Sequence, residues 1–239
     1  MKKKVNTDVS IRTVTSNDFI TACGLDEVTL KARKLLYIAI SQCKRNDKNF
    51  FEYTLTVQDF ANLMNVDVSN VYKIADSITD ELIRGFIRVE SSGNWRKYSL
   101  FSQCDYADGI LYFKLNSDMT DFLLDLKNNF TQPLLQDFLR MRSPYSMEIW
   151  HLMQREMHSK KPGLTEKIEF DLSLDELRKV TGCTNKLKQI GQFKERVLDK
   201  ALREIWDNCG VEISYTNIKK GRYIIGFHFT AVSFFHLEK

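Results

Sequence analysis

Six bases crowd into residues 186–203: Lys186, Lys188, Lys194, Arg196, Lys200 and Arg203, against two acids, Glu195 and Asp199. Gln189 and Gln192 lie among them. Lysine and arginine can neutralise phosphates, and on a groove floor arginine or lysine pairs with guanine while glutamine pairs with adenine. The chemistry on offer is therefore recognition of a polyanion, duplex DNA in particular. The wider charge distribution agrees. Residues 1–130 hold 17 Lys/Arg and 17 Asp/Glu, so the whole formal charge of +4 belongs to residues 131–239. A clustered positive field of that kind suits nucleic acid.

Other chemistry has fewer means. The four histidines (151, 158, 228, 236) form no His-hydrophobic-His pair for a metal-dependent nuclease, and His151 and His158 lack an evident third ligand. There is no G-x-x-x-x-G-K-[ST] loop and no G-x-G-x-x-G segment after a strand. Five scattered cysteines with no C-x-x-C pair read as reduced thiols in a cytoplasm. The carboxylates fall at caps and on helix faces. These readings predict no catalytic constellation, no metal and no cofactor. No apolar run approaches the ~20 residues that span a bilayer, and the basic start turns polar where a signal peptide would turn apolar. A soluble cytoplasmic protein, not associated with a membrane, is expected.

The elements that would position the basic cluster are written twice. YTLTVQDF at 53–60 returns as FDLSLDEL at 170–177. Each phrase ends an alternating run and opens an apolar-periodic one. Thr56 and Ser173 can accept a backbone N–H as N-caps, with Asp59 and Glu176 three residues on, as in a capping box. Short helices over 56–64 and 173–181 then break at NVDVSN and GCTNK. Longer helices follow, over 69–84 and 187–206. Alternating runs around the loops SSGNWRKYS and NIKKGRY read as β-hairpins, and amphipathic helical segments at 29–44 and 143–158 precede each copy. Helix, strand, short helix, turn, long helix and hairpin make a winged helix around a helix-turn-helix. The expected fold is α+β: an extension over 1–25, a first winged-helix domain over 26–130 and a second over 131–239. A helical connector broken near Pro133 occupies 117–142.

The two long helices are not equivalent. Stepping 100° per residue, Ile190, Phe193, Val197, Leu198, Ala201, Leu202 and Ile205 of 187–206 share one face. Lys188, Gln189, Gln192, Glu195, Arg196, Asp199, Lys200 and Arg203 share the other, and Lys194 projects toward the apolar arc. In 69–84 the outer face mixes Asn70, Lys73, Ser77 and Arg84 with Asp76, Asp80 and Glu81, whose carboxylates repel phosphates, and Ser69 at the helix start is a further candidate contact. The second domain is thus expected to carry the main DNA contact and the first a weaker one. Wing bases add to both: Lys219, Lys220 and Arg222 beside Tyr223, and Arg96 and Lys97 beside Trp95.

From about residue 30 to 234 the chain resembles the iteron-binding plasmid replication initiator proteins. Their phrase F-K-x-R-V-L-x-x-A-x-x-E-I stands here as Phe193, Lys194, Arg196, Val197, Leu198, Ala201, Glu204 and Ile205. A leading Tyr-Ser pair, an aliphatic and an aromatic stand as Tyr145, Ser146, Ile149 and Trp150, with tryptophan where tyrosine is commoner. The resemblance implies monomers that bind direct repeats at an origin of replication, open adjacent AT-rich DNA and recruit the host helicase machinery. It also implies a homodimer, in equilibrium with monomer and joined through the first domain, that binds an operator inverted repeat and represses its own gene. A plain winged-helix transcriptional repressor, or a protein-interaction scaffold without DNA binding, would use the same fold.

Overall fold

The computed structural model describes residues 2–44, 47–159 and 167–233. The chain divides into two compact units, Met1–Leu139 and Arg140–Lys239.

The first unit begins with β1 (Lys2–Lys4), β2 (Thr15–Ser16), α1 (Asn17–Thr21) and α2 (Leu30–Ser41). Residues 1–25, expected as an extension, are built into this unit instead. β1 runs parallel to β3 (Glu52–Thr56), and β2 pairs with β8 (Phe130–Thr131). Residues 131–139, assigned to the second domain by sequence, also fall in the first unit. Helix α2 is not amphipathic in practice, since ten of its 12 residues are buried. Its Lys34 ammonium donates to the Leu139 carbonyl at 2.7 Å, and Tyr37 stacks on Phe138 at 3.9 Å. Buried bases tolerated in this way have acceptors close by.

β3 feeds α3 (Val57–Met64), where Thr56 Oγ1 accepts the Asp59 N–H at 2.9 Å, as the capping pattern predicts. Asn65 takes the left-handed conformation (φ 51°) that ends α3, and Asp67 caps α4 (Val68–Arg84) by accepting the Ser69 N–H. Two hairpins follow: β4 (Phe86–Ser91) with β5 (Asn94–Ser99), and β6 (Phe101–Ala107) with β7 (Ile110–Leu115). Their turns, Ser92-Gly93 and Asp108-Gly109, have positive φ at both positions, the geometry that matches strand twist. The larger sheet has the order β1-β3-β7-β6. α5 (Thr120–Leu123) and α6 (Leu135–Arg140) replace the expected connector with two short helices flanking β8.

The second unit opens with α7 (Pro144–Ser159), whose Ser146–Met153 segment is buried. β9 (Ile168–Ser173) leads into α8 (Leu174–Val180), with Ser173 Oγ accepting the Glu176 N–H at 3.1 Å. Arg155 of α7 reaches Glu176 at 2.9 Å. A single helical run then passes through α9 (Ile190–Phe193), a π-helical turn (Lys194–Leu198) and α10 (Asp199–Cys209). Gly210 closes it at φ 61°. β10 (Val211–Lys220) and β11 (Tyr223–Ser233) form the wing, and the sheet order is β10-β11-β9. Gly226 lets β11 approach β9: a Cβ there would stand 2.6 Å from the Leu172 carbonyl oxygen.

Candidate nucleic-acid interface

Helix burial in the second unit follows the apolar stripe. Phe193, Val197, Leu198, Ala201, Leu202 and Ile205 are buried, while Gln192, Glu195, Arg196, Lys200 and Arg203 are exposed. The phrase F-K-x-R-V-L-x-x-A-x-x-E-I is therefore mostly a packing motif. Its Glu204 accepts the Arg142 N–H at 2.9 Å, and Arg196 is its outward-facing base.

Two expectations change. The run does not begin at residue 187. Leu187 adopts φ 49°, Gln189 is an extended N-cap, and helix starts at Ile190. Lys186 and Lys188 thus sit on the loop before the helix, both exposed, and Gln189 stands at its threshold. The second change is the π-helical turn, which adds a residue to the winding between Phe193 and Leu198. Such turns are frequent at functional sites. A stepping of 100° does not foresee it.

Lys194 is half-buried. Its ammonium lies 5.2 Å from the Tyr215 ring centroid and 3.4 Å from Asn217 Oδ1, so it serves the junction of helix and wing. Tyr215 in turn donates to Asp199 Oδ1 at 2.7 Å, and burial and that carboxylate push its hydroxyl well above the usual phenol range.

The wing bases Lys219 and Lys220 end β10 and Arg222 lies in the turn, all exposed. Arg222 donates to the Tyr223 hydroxyl at 2.9 Å with its guanidinium 5.1 Å from that ring.

In the first unit Ser69, Asn70 and Lys73 are exposed on the opening turns of α4. The three outer carboxylates differ in position. Asp76 is exposed, Asp80 pairs with Arg84 at 2.8 Å, and Glu81 turns aside to accept the Thr29 N–H at 2.9 Å. Arg96 and Lys97 belong to strand β5 and not to a loop, because Asn94–Ser99 is fully laddered to β4. Lys97 lies 4.3 Å from the Phe86 ring and 5.8 Å from Trp95, which is 58% exposed.

Arg178 went unnoticed in the sequence. From α8 its Nη1 donates to the Cys183 and Lys186 carbonyls at 2.9 and 3.1 Å, and its Nη2 to Leu187 and Lys188 at 3.1 and 3.2 Å. The guanidinium lies 4.7 Å from the Phe193 ring centroid. A signal existed. A two-turn helix followed by a non-helical break leaves carbonyls that need donors, and Arg178 stands in that helix's last turn.

His151 is buried, and its pKa is pushed down to about 3, first by burial and then by Arg155. His228 pairs with Asp171 across β11 and β9 at 2.7 Å. Among the described residues no group of three His, Cys, Asp or Glu side chains could hold a metal ion, and no helix is long and apolar enough to cross a membrane.

Residues 12–154 match the family model described as initiator replication protein, WH1, and residues 173–231 match initiator Rep protein, WH2. The first match runs past the first unit into α7. The fold is similar to the crystal structure of the Pi initiator protein in complex with iteron DNA: the TM-score is 0.77 at 20% identity, over 95% of this chain and 99% of that one. Two helix-turn-helix units with hairpin wings, each matched to its own initiator model, make the chain a member of the initiator replication protein family, initiators of replication with two winged-helix domains.

Proposed function

We propose that the chain binds direct repeats at a plasmid origin as a monomer, through the second unit above all, and acts without catalysis of its own. The observation that carries this is the exposure of Gln192 and Arg196 on the helix whose opposite face is core. Laid in a major groove, Gln189, Gln192 and Arg196 face base edges. Lys186, Lys188, Lys200 and Arg203 flank them toward phosphates, and Lys219, Lys220 and Arg222 follow the backbone beside the wing. The matched Pi initiator was solved on iteron DNA, which supports direct repeats as the ligand. Ser69, Asn70, Lys73, Arg96 and Lys97 make a weaker contact from the first unit. Pairing of first units gives a homodimer that represses the chain's own gene at an inverted repeat, and the host helicase machinery is the partner recruited after the origin opens.

The test is a binding titration on a duplex carrying the tandem repeats that flank the gene, over a range of salt. Tight binding with a steep negative slope of log K against log[salt] is expected, and Arg196→Ala should weaken it by about 1–3 kcal/mol. Affinity independent of salt, or unchanged in Arg196→Ala, would favour a protein scaffold. A gene flanked by a single inverted repeat, with no direct repeats, would favour a plain repressor.

A further inference from the structure

We propose that Arg178 is a positioning residue for DNA recognition: one guanidinium fixes the loop that presents Lys186 and Lys188 and sets where the helix of Gln192 and Arg196 begins. The proposal rests on the DNA-binding reading above. Arg178 reaches four main-chain oxygens of one loop, those of Cys183, Lys186, Leu187 and Lys188, all between 2.9 and 3.2 Å. The same group lies over the ring of Phe193, 4.7 Å from its centroid, and Phe193 is the first buried ring of the following helix. Loop and helix are thereby referred to one rigid plane.

This loop needs such a clamp. Leu187 holds φ 49°, a conformation that a non-glycine residue keeps only when its surroundings over-determine it. Gln189 caps the helix without a side-chain hydrogen bond, so the usual local fixative is missing. With their carbonyls turned to Arg178, Lys186 and Lys188 have exposed side chains. Both terminal nitrogens of the guanidinium donate to these carbonyls, so its part is to order the loop and not to touch a phosphate. Lysine cannot substitute, since a compact ammonium lacks the planar fork and the stacking face. A loop that must be ordered during binding weakens the complex by the ordering entropy of each group involved.

The experiment compares the full chain with Arg178→Lys and Arg178→Gln. The probes are a duplex selected by the unmodified chain from a random-sequence pool and an unselected duplex from the same pool. Amide hydrogen exchange is followed in the free proteins. Both variants should lose about tenfold or more in affinity for the selected duplex, as expected when several side chains must be ordered on binding. They should lose less on the unselected one, where only the phosphate contacts of Lys186 and Lys188 are disturbed, and exchange should quicken over 186–192 while α7 stays protected. Selected-duplex affinity equal to the unmodified chain's in Arg178→Lys would overturn the proposal. So would equal losses on both duplexes with faster exchange throughout the unit, which marks a general folding role. If the unmodified chain selects no duplex, the DNA-binding reading fails by itself, and the exchange comparison still decides whether Arg178 holds the loop.

Discussion

Tyr215 donates its hydroxyl hydrogen bond to Asp199 at 2.7 Å, joining wing strand β10 to the residue where the π-helical turn gives way to α10. Lys194 leans over the same tyrosine ring and reaches Asn217. Arg203 Nε donates to the Asp199 carbonyl one turn later at 3.3 Å. Helix and wing are thus braced together on the protein's side, which leaves Gln192 and Arg196 turned outward.

Tyr215→Phe removes the brace and keeps the ring. The fall in unfolding free energy should be about 1 kcal/mol, the net worth of one hydrogen bond, read by urea denaturation at neutral pH. Burial and Asp199 raise the hydroxyl's folded pKa. Its contribution is therefore fully present below the unfolded value of about 10 and is lost as pH rises past it. The gap between the two proteins should narrow in alkaline solution; a gap that widens there would contradict this bond.

His151 makes the opposite prediction for acid. The folded chain keeps this imidazole neutral down to about pH 3 because it is buried, whereas the unfolded chain takes up a proton near pH 6.5. Its stabilisation is complete above that unfolded value and drains away as pH falls toward 3. Urea midpoints at pH 7 and pH 4.5 should drop more for the unmodified chain than for His151→Gln. Equal drops would show that the histidine is protonated in the fold.

The sequence reading reached both helix-turn-helix units because their starting signals are local. Thr56 and Ser173 cap through a neighbour three residues away, and Phe193, Val197, Leu198, Ala201, Leu202 and Ile205 are buried on the face that the apolar spacing marks. What it missed depends on partners distant in sequence or on winding. Lys2–Lys4 pairs with Glu52–Thr54 across 50 residues, which no pattern within residues 1–25 announces. Leu187's left-handed turn and the π-helical segment alter the count of residues per turn, and a fixed angular step has no means to register that. Arg178 reads as an ordinary helix-surface base until the loop that it holds is folded against it.

Two glycines should respond in opposite ways to alanine. At Gly226 the new methyl would meet the Leu172 carbonyl oxygen at 2.6 Å and the Ser173 Cα at 3.3 Å. Both are backbone atoms that cannot swing away, so Gly226→Ala should destabilise by about 1–3 kcal/mol, as overpacking does. At Gly191, inside α9, an added methyl would meet nothing within 4 Å, and Gly191→Ala should stabilise by up to about 1 kcal/mol through helix propensity. Thermal melts of the two variants side by side check the pair, and a stable Gly226→Ala would mean that β9 and β11 do not approach so closely.

The two units should also differ in how much each lysine matters to DNA. Lys188 stands beside Gln189 at the opening of a surface that also presents Arg196, Lys200 and Arg203, with Asp199 held by Tyr215. Lys73 shares its helix face with the exposed Asp76 and with the Asp80–Arg84 pair, so its attraction to a phosphate is partly cancelled nearby. Each phosphate contact releases condensed counterions and contributes about 0.9 to the slope of log K against log[salt]. Lys188→Ala should therefore weaken binding to a repeat-bearing duplex and flatten that slope by about 1, whereas Lys73→Ala should do less of both. In parallel gel-shift titrations at several salt concentrations, a larger loss for Lys73→Ala would invert the assignment of the main DNA contact to the second unit.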